Sequence, residues 1–246
     1  MRLLHLSDLH LCSNSETVIY GVNPYENLQR AIRKIQSIEK PIDLCVVTGD
    51  ISNDGSKESY ELADMLLSSL PFPIFVTNGN HDNYHNLVDV QHHKICFQHE
   101  LTFQGIEFVF LNSVAIAEDG SNRSKGMLST SEIDRLTRLS FLDKPAIIIM
   151  HHPVLSSGSW MDRRIPINRE LFLSIVNTTP QIIAVLSGHN HCSSKNYVNH
   201  CFYSTSPSVS TTYSKNLSPY EEAFTPGFDL LCINGSTISV ENTIDF

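Results

Sequence analysis

The stretch Leu3-Leu4-His5-Leu6-Ser7-Asp8-Leu9-His10 decides how this chain is read. A short apolar run ends directly in a carboxylate and an imidazole two residues apart. Four more apolar runs end in Asp, Asn or His donors. Residues 44–47 lead to Gly49-Asp50, and residues 74–76 to Gly79-Asn80-His81-Asp82. Residues 146–150 lead to His151-His152-Pro153, and residues 182–186 to Gly188-His189-Asn190-His191. Short runs rich in Val, Ile and Leu, bounded by turn residues, read as buried strands. Ligand sites in open α/β sheets form beyond the carboxyl ends of the strands. Five strands ending this way can gather their donors at one edge, and the pattern predicts a metal site holding two ions.

Helical periodicity fills the intervals. After Asn23-Pro24, the apolar residues Leu28, Ile32, Ile35 and Ile38 recur at helical spacing. Asn23 is placed to cap, Pro24 suits the first position, and Glu26 sits where a capping box wants an acid. A second helix is predicted after Ser56, with Tyr60, Ala63, Leu67 and Leu70 on one face and Pro71 ending it. Ser129-Thr130-Ser131-Glu132 announces a third, followed by Ile133, Leu136 and Leu139. A fourth is expected over 168–177, burying Leu171, Phe172 and Ile175. Further strands read at 95–103, 106–111, 197–204, 228–233 and 236–240, the last two joined by the hairpin signal Asn234-Gly235. The early chain is thus β-α-β-α-β and the tail antiparallel. The candidate ligands span residues 8 to 191 without a long linker, so residues 1–246 are expected to form one domain. The polar segments 120–126 and 156–164 fall beside candidate ligands and read either as a pocket rim or as surface loops.

Composition narrows the partners. A formal charge of −9 argues against a protein that grips nucleic acid by its phosphates. Arg163-Arg164 is the only pair of adjacent arginines. Two bound divalent ions would still add about four positive charges where an anionic substrate docks. No apolar stretch approaches the ~20 residues of a membrane helix. No charged n-region and apolar h-region precede Arg2, which argues against a secretory signal. The six cysteines are dispersed without a Cys-x-x-Cys pair and read as reduced thiols of a cytoplasmic protein. Without a secretory route the sequons at Asn122, Asn177, Asn216 and Asn234 carry no meaning.

Carboxylate, amide oxygen and imidazole together suit borderline divalent ions such as Mn, Fe, Co or Zn. Each piece alone is ordinary: Asp-x-His at a strand end is more often structural, and Gly-Asp after a strand is usually a turn. Five such pieces, each after its own strand, point to one shared site. Asp50 is the natural bridging carboxylate. The other donors divide into Asp8, His10 and His191 on one side and Asn80, His151 and His189 on the other. Ions roughly 3.5–4 Å apart can clamp a phosphoryl oxygen and share an activated hydroxide.

Ser7-Asp8-Leu9-His10-Leu11, Gly49-Asp50-Ile51, Gly79-Asn80-His81-Asp82, His151-His152-Pro153 and Gly188-His189-Asn190-His191 resemble, in order, the motifs of the calcineurin-like metallophosphoesterases. Within that family the chain is similar to the bacterial class III cyclic-nucleotide phosphodiesterases. The segments Gly21-Val22-Asn23, Asn53-Asp54-Gly55-Ser56, Ser159-Trp160-Met161-Asp162, Ser204-Thr205-Ser206-Pro207-Ser208 and Pro226-Gly227-Phe228 carry that narrower likeness. The resemblance implies an α/β fold, a four-layer α/β/β/α sandwich of two mixed sheets, around a dinuclear centre. It implies one ion on Asp8, His10, Asp50 and His191 and the other on Asp50, Asn80, His151 and His189. His81 matches the family's non-ligand histidine beside the scissile phosphate, with Asp82 expected to orient it; His152 is left behind the ligands. One departure is Leu111-Asn112-Ser113, where related sequences often carry Leu-Asp-Ser.

The expected reaction is hydrolysis of a small anionic phosphodiester by in-line attack of metal-bound hydroxide, with 3′,5′-cyclic AMP giving 5′-AMP. Glycerophosphodiesters and 2′,3′-cyclic nucleotides are the alternative substrates. A non-catalytic scaffold would have lost ligands, and none is lost here. Neither a Gly-x-Ser-x-Gly elbow nor a Gly-x-x-x-x-Gly-Lys phosphate loop is present. A homodimer is expected by resemblance alone.

Overall fold

The computed structural model describes residues 1–90, 94–118, 120–212 and 225–246. The Asn216 sequon lies outside them. The first half runs β1 (Arg2–Leu6), α1 (Pro24–Gln36), β2 (Leu44–Thr48), α2 (Lys57–Leu67), β3 (Ile74–Thr77), α3 (Tyr84–Asp89) and β4 (Ile95–Phe97). Next come β5 (Glu100–Phe103), β6 (Ile106–Phe110), β7 (Ala115–Ile116), β8 (Asn122–Arg123), α4 (Thr130–Arg138) and β9 (Ala146–Ile149). The chain continues through α5 (Arg169–Thr178), β10 (Ile182–Ser187), β11 (Ser194–Val198), β12 (Cys201–Thr205), β13 (Gly227–Asn234) and β14 (Thr237–Asp245).

Two six-stranded sheets result, ordered β14-β13-β1-β2-β3-β4 and β11-β12-β10-β9-β6-β5. β1 to β4 are parallel, and β13 and β14 extend their sheet antiparallel. In the second sheet β12, β10, β9 and β6 are parallel, with antiparallel β11 and β5 at the edges. The period-2 alternation of each strand sorts its apolar residues between two cores. Leu3, Leu44 and Val46 pack against Phe108, Ile147, Ile149, Leu186 and Phe202 of the other sheet. Their neighbours Leu4, Leu6, Cys45 and Val47 face the opposite way, onto Leu28, Ile32, Ile35, Tyr60, Ala63 and Leu67 of α1 and α2. Val109, Ile148 and Val185 likewise meet Leu136 of α4 and Phe172 and Val176 of α5. Three cores between four layers make the α/β/β/α sandwich. Strands covered on both faces explain why their sequences are continuously apolar.

Helix entry follows the caps. The side chains of Asn23, Ser56 and Ser129 accept from the backbone N–H groups of Glu26, Ser59 and Glu132. Among the described residues no helix is long and apolar enough to cross a membrane.

Four local expectations are corrected. Residues 95–103 are two strands: β4 ends the first sheet, and β5 after Gln98-His99 begins the second. A change of sheet leaves no mark in a continuous β-type run. Residues 197–204 divide similarly, into a hairpin of β11 and β12 turning at Asn199, whose φ is +54°. On α5 the buried residues are Phe172 and Val176, while Leu171 is 49% exposed. Leu171 and Ile175 share a helix face one residue out of phase with the pair that meets the sheet. Leu70 is buried, but beyond the end of α2.

Candidate metal centre

Strands β1, β2 and β3 run parallel, as do β9 and β10, so their carboxyl ends lie side by side. The pairing of β1 with β2 continues into the loops. The amides of Asp8 and His10 donate to the carbonyls of Gly49 and Asp50 at 3.1 and 2.9 Å. The backbone there is strained: Asp8, His10, Asp50, His189 and His191 all have φ between +49° and +68°. Each such residue costs on the order of 1–3 kcal/mol. The two sheets meet at this edge, because His189 N–H donates to Asp8 Oδ2 at 3.0 Å. Glycine permits the approach, since a Cβ on Gly188 would lie 1.7 Å from Ser7 Oγ.

Asp50 Oδ2 occupies the middle, 3.7 Å from His10 Nε2 and 3.4 Å from His151 Nε2. On one side His191 Nε2 lies 3.3 Å from Asp8 Oδ1 and 3.0 Å from His10 Nε2. On the other, His151 Nε2 lies 3.1 Å from both Asn80 Oδ1 and His189 Nδ1. The structure thus brings together Asp8, His10, Asp50, Asn80, His151, His189 and His191. It places His81 at the exposed mouth, its ring edge-on to His10 with centroids 4.9 Å apart.

Tautomers decide what this cluster can hold. His191 Nδ1 donates to Thr211 O at 2.5 Å, and His151 Nδ1 to Thr48 O at 2.8 Å. Both rings therefore turn the lone pair of Nε2 inward. The His151 lone pair then faces two further acceptors, Asn80 Oδ1 and Asp50 Oδ2. Acceptors cannot crowd this closely without a proton or a cation between them. Burial opposes charge on His151, but Asp50 and then Asp8 outweigh it and raise its pKa to about 9. His10 goes the other way, to about 4, chiefly through burial. Without a cation, a proton on His151 has to balance the buried carboxylates. A divalent ion fits the same position better, because it satisfies every inward lone pair at once. Groups of Asp8, His10 and His191 and of Asp8, Asp50 and His151 are close enough to bind one.

Residues 1–193 match the family described as calcineurin-like phosphoesterase. The chain belongs to that family. It is a metallophosphoesterase, and such enzymes use a dinuclear divalent metal centre. This calcineurin-like phosphoesterase is 30% identical over 247 residues to a 3′,5′-cyclic-nucleotide phosphodiesterase of Nostoc sp., covering 93% of this chain and 86% of the relative. It is 27% identical over 198 residues to glycerophosphodiester phosphodiesterase GpdQ of Enterobacter lignolyticus, covering 78% and 71%. In fold it is similar to a dimetal phosphatase from Danio rerio, with TM-score 0.68, 13% identity, and 97% and 98% of the two chains covered.

Asp82 does something other than orient His81. Its buried carboxylate accepts from the amides of Gly79 (2.7 Å), Ser52 (2.9 Å) and Ile51 (3.3 Å) and from Tyr60 Oη (3.1 Å). It ties the Asp50 loop to the Asn80 loop. Burial, then the charge of Asp50, raises its pKa to about 6. The His81 ring is held by Asn53 O, 3.3 Å from Nδ1.

Several supporting residues escaped the sequence reading. Thr48 holds His151 through a backbone carbonyl, which any residue type supplies, and Thr211 holds His191 through its carbonyl with its hydroxyl 3.0 Å from the same nitrogen. Asn122, on the short strand β8, donates to Asn80 O (3.1 Å) and Asp82 O (2.9 Å), so segment 120–126 braces the site. Asn190 Nδ2 donates to Ser157 Oγ at 3.1 Å, which puts segment 156–164 on the rim as well. His152 Nδ1 pairs with Ser113 Oγ at 2.8 Å, behind His151. Asn112 Oδ1 accepts from Asn78 Nδ2 and from Val114 N. Ser208 Oγ, from a segment the family resemblance singles out, donates to Asp8 O at 2.9 Å.

Proposed function

We propose that this enzyme is a phosphodiesterase that hydrolyses 3′,5′-cyclic AMP to 5′-AMP at two divalent ions, acting in the cytoplasm. The observation carrying the two-ion reading is the central position of Asp50 Oδ2, within 3.7 Å of an imidazole nitrogen on either side. In this reading Asp8, His10, Asp50 and His191 hold one ion, and Asp50, Asn80, His151 and His189 hold the other. The reading also takes residues 1–246 as one domain, supported by β13 and β14 joining the sheet begun by β1.

When bound, such an ion pair supplies a water acidified toward neutrality and Lewis acidity at the phosphoryl oxygens. The protein's own groups do the rest. Thr48 and Thr211 fix the tautomers of His151 and His191. Asp82 keeps the Asp50 and Asn80 loops in register. His81 N–H donates to Asp50 Oδ1 at 2.8 Å, which locks the backbone of the histidine beside the centre. In the imidazolium form, with Nδ1 donating to Asn53 O, His81 keeps an Nε2–H to give to the departing 3′ oxygen as a general acid, leaving a neutral ring.

Relatives that are cyclic-nucleotide phosphodiesterases, such as the Nostoc enzyme, support the cyclic nucleotide; GpdQ makes glycerophosphodiesters the second reading. The test is a steady-state comparison with Mn²⁺ on 3′,5′-cyclic AMP, 2′,3′-cyclic AMP, glycerophosphocholine and a monoester. A kcat/KM of about 10⁴ M⁻¹s⁻¹ or more for 3′,5′-cyclic AMP, above the other three, is expected. Faster cleavage of glycerophosphocholine would transfer the assignment to the second reading.

A further inference from the structure

A buried chain of hydroxyls runs into the site from behind. His5 Nε2 lies 3.0 Å from Thr48 Oγ1, Thr48 Oγ1 lies 2.8 Å from Ser7 Oγ, and Ser7 Oγ lies 2.5 Å from Asp8 Oδ2. All four residues are wholly buried, and of their side chains the mechanism above uses only that of Asp8. The other His5 nitrogen, Nδ1, is buried with no hydrogen-bond partner. That vacancy sets the direction of the chain. An unpartnered acceptor is tolerated better than an unpartnered N–H, so the one proton of the neutral ring sits on Nε2 and donates to Thr48. Burial keeps the ring neutral, its pKa lowered to about 3 with help from the charge of Lys195. Thr48 then donates to Ser7, and Ser7 to Asp8, each bond polarising the next.

We infer that His5, Thr48 and Ser7 are positioning residues that fill Asp8 Oδ2 with donors and so present Oδ1 alone to the ion held with His10 and His191. Oδ2 receives Ser7 O–H and the nearer branch of the His189 N–H, at 3.0 Å against 3.2 Å to Oδ1, so Ser7 is the donor that tells the two oxygens apart. Oδ1 faces His191 Nε2 at 3.3 Å and His10 Nε2 at 4.0 Å. With His5 gone, the Thr48 hydroxyl can turn to Leu6 O, 3.4 Å away, and accept from Ser7. Asp8 then loses the donor that fixes its rotation. The inference rests on Asp8 being a ligand, as proposed above.

The experiment is calorimetric titration of metal-free protein with Mn²⁺, with folding checked by thermal melting. Thr48→Val and His5→Phe are expected to weaken one of the two ions by roughly tenfold, the lower range for changes behind metal ligands, and to leave the other unchanged. Thr48→Ser, which keeps the hydroxyl, should bind within about twofold of wild type. If His5→Phe does not fold, Thr48→Val carries the comparison alone. Asp8→Asn separates the two layers of the argument. Should it keep both ions at full affinity, Asp8 is not a ligand and both ideas fall. Should it lose one ion while Thr48→Val binds both normally, or weakens both equally, the relay alone is overturned.

Discussion

Asp50→Asn is expected to leave a folded protein whose kcat/KM has fallen by roughly 10³-fold, about 4 kcal/mol, with its metal content cut from two ions toward none. The carboxylate lies within 3.7 Å of an imidazole nitrogen on either side, so its loss weakens both ion sites. Asparagine is the informative replacement. Its carbonyl keeps the acceptor that His81 N–H uses at 2.8 Å. Its amide group then points a donor at His151 Nε2, which is left neutral with its lone pair inward once the carboxylate charge is gone. Neither neighbour is left worse satisfied, so the fold survives while the anionic bridge is gone. Elemental analysis after dialysis and steady-state kinetics check the two parts. Two retained ions with near-normal turnover would remove Asp50 from the centre.

His81→Ala should separate chemistry from metal binding. The ring stands at the mouth of the site, and its only hydrogen bond among the described residues is to Asn53 O. Being exposed, it leaves the core intact when removed. Loss of a general acid costs typically 10²–10⁴-fold, so kcat on 3′,5′-cyclic AMP is expected to fall by about 10²-fold or more at unchanged metal content. The effect should shrink on a nitrophenyl diester, whose leaving group departs without a proton. Equal losses on both substrates would exclude the acid role, and an equally active variant would remove His81 from the mechanism.

The ligand-bearing loops are legible in the sequence because each follows a strand buried on both faces, which shows as an unbroken apolar run. The caps at Asn23, Ser56 and Ser129 are legible for a similar reason: a side chain makes the bond, so residue identity carries the signal. What escapes is whatever the backbone does. The left-handed conformations of Asp8, His10, Asp50, His189 and His191 are imposed by the sheet edge on residues that do not prefer them. The carbonyl of Thr48 selects the His151 tautomer without leaving a trace in residue type. The passage of residues 95–103 between sheets is hidden because both strands look alike. Asp82 illustrates a different failure. Its place next to His81 in sequence suggests a partnership, yet the turn directs its carboxylate at the amides of Gly79, Ile51 and Ser52.

The most direct test of the two-ion centre is the anomalous scattering of crystals grown with Mn²⁺. Two peaks roughly 3.5–4 Å apart are expected, one on each side of Asp50 Oδ2, the first touching His10 and His191 and the second His151 and His189. A single peak, or two peaks of which neither touches Asp50, would contradict the account.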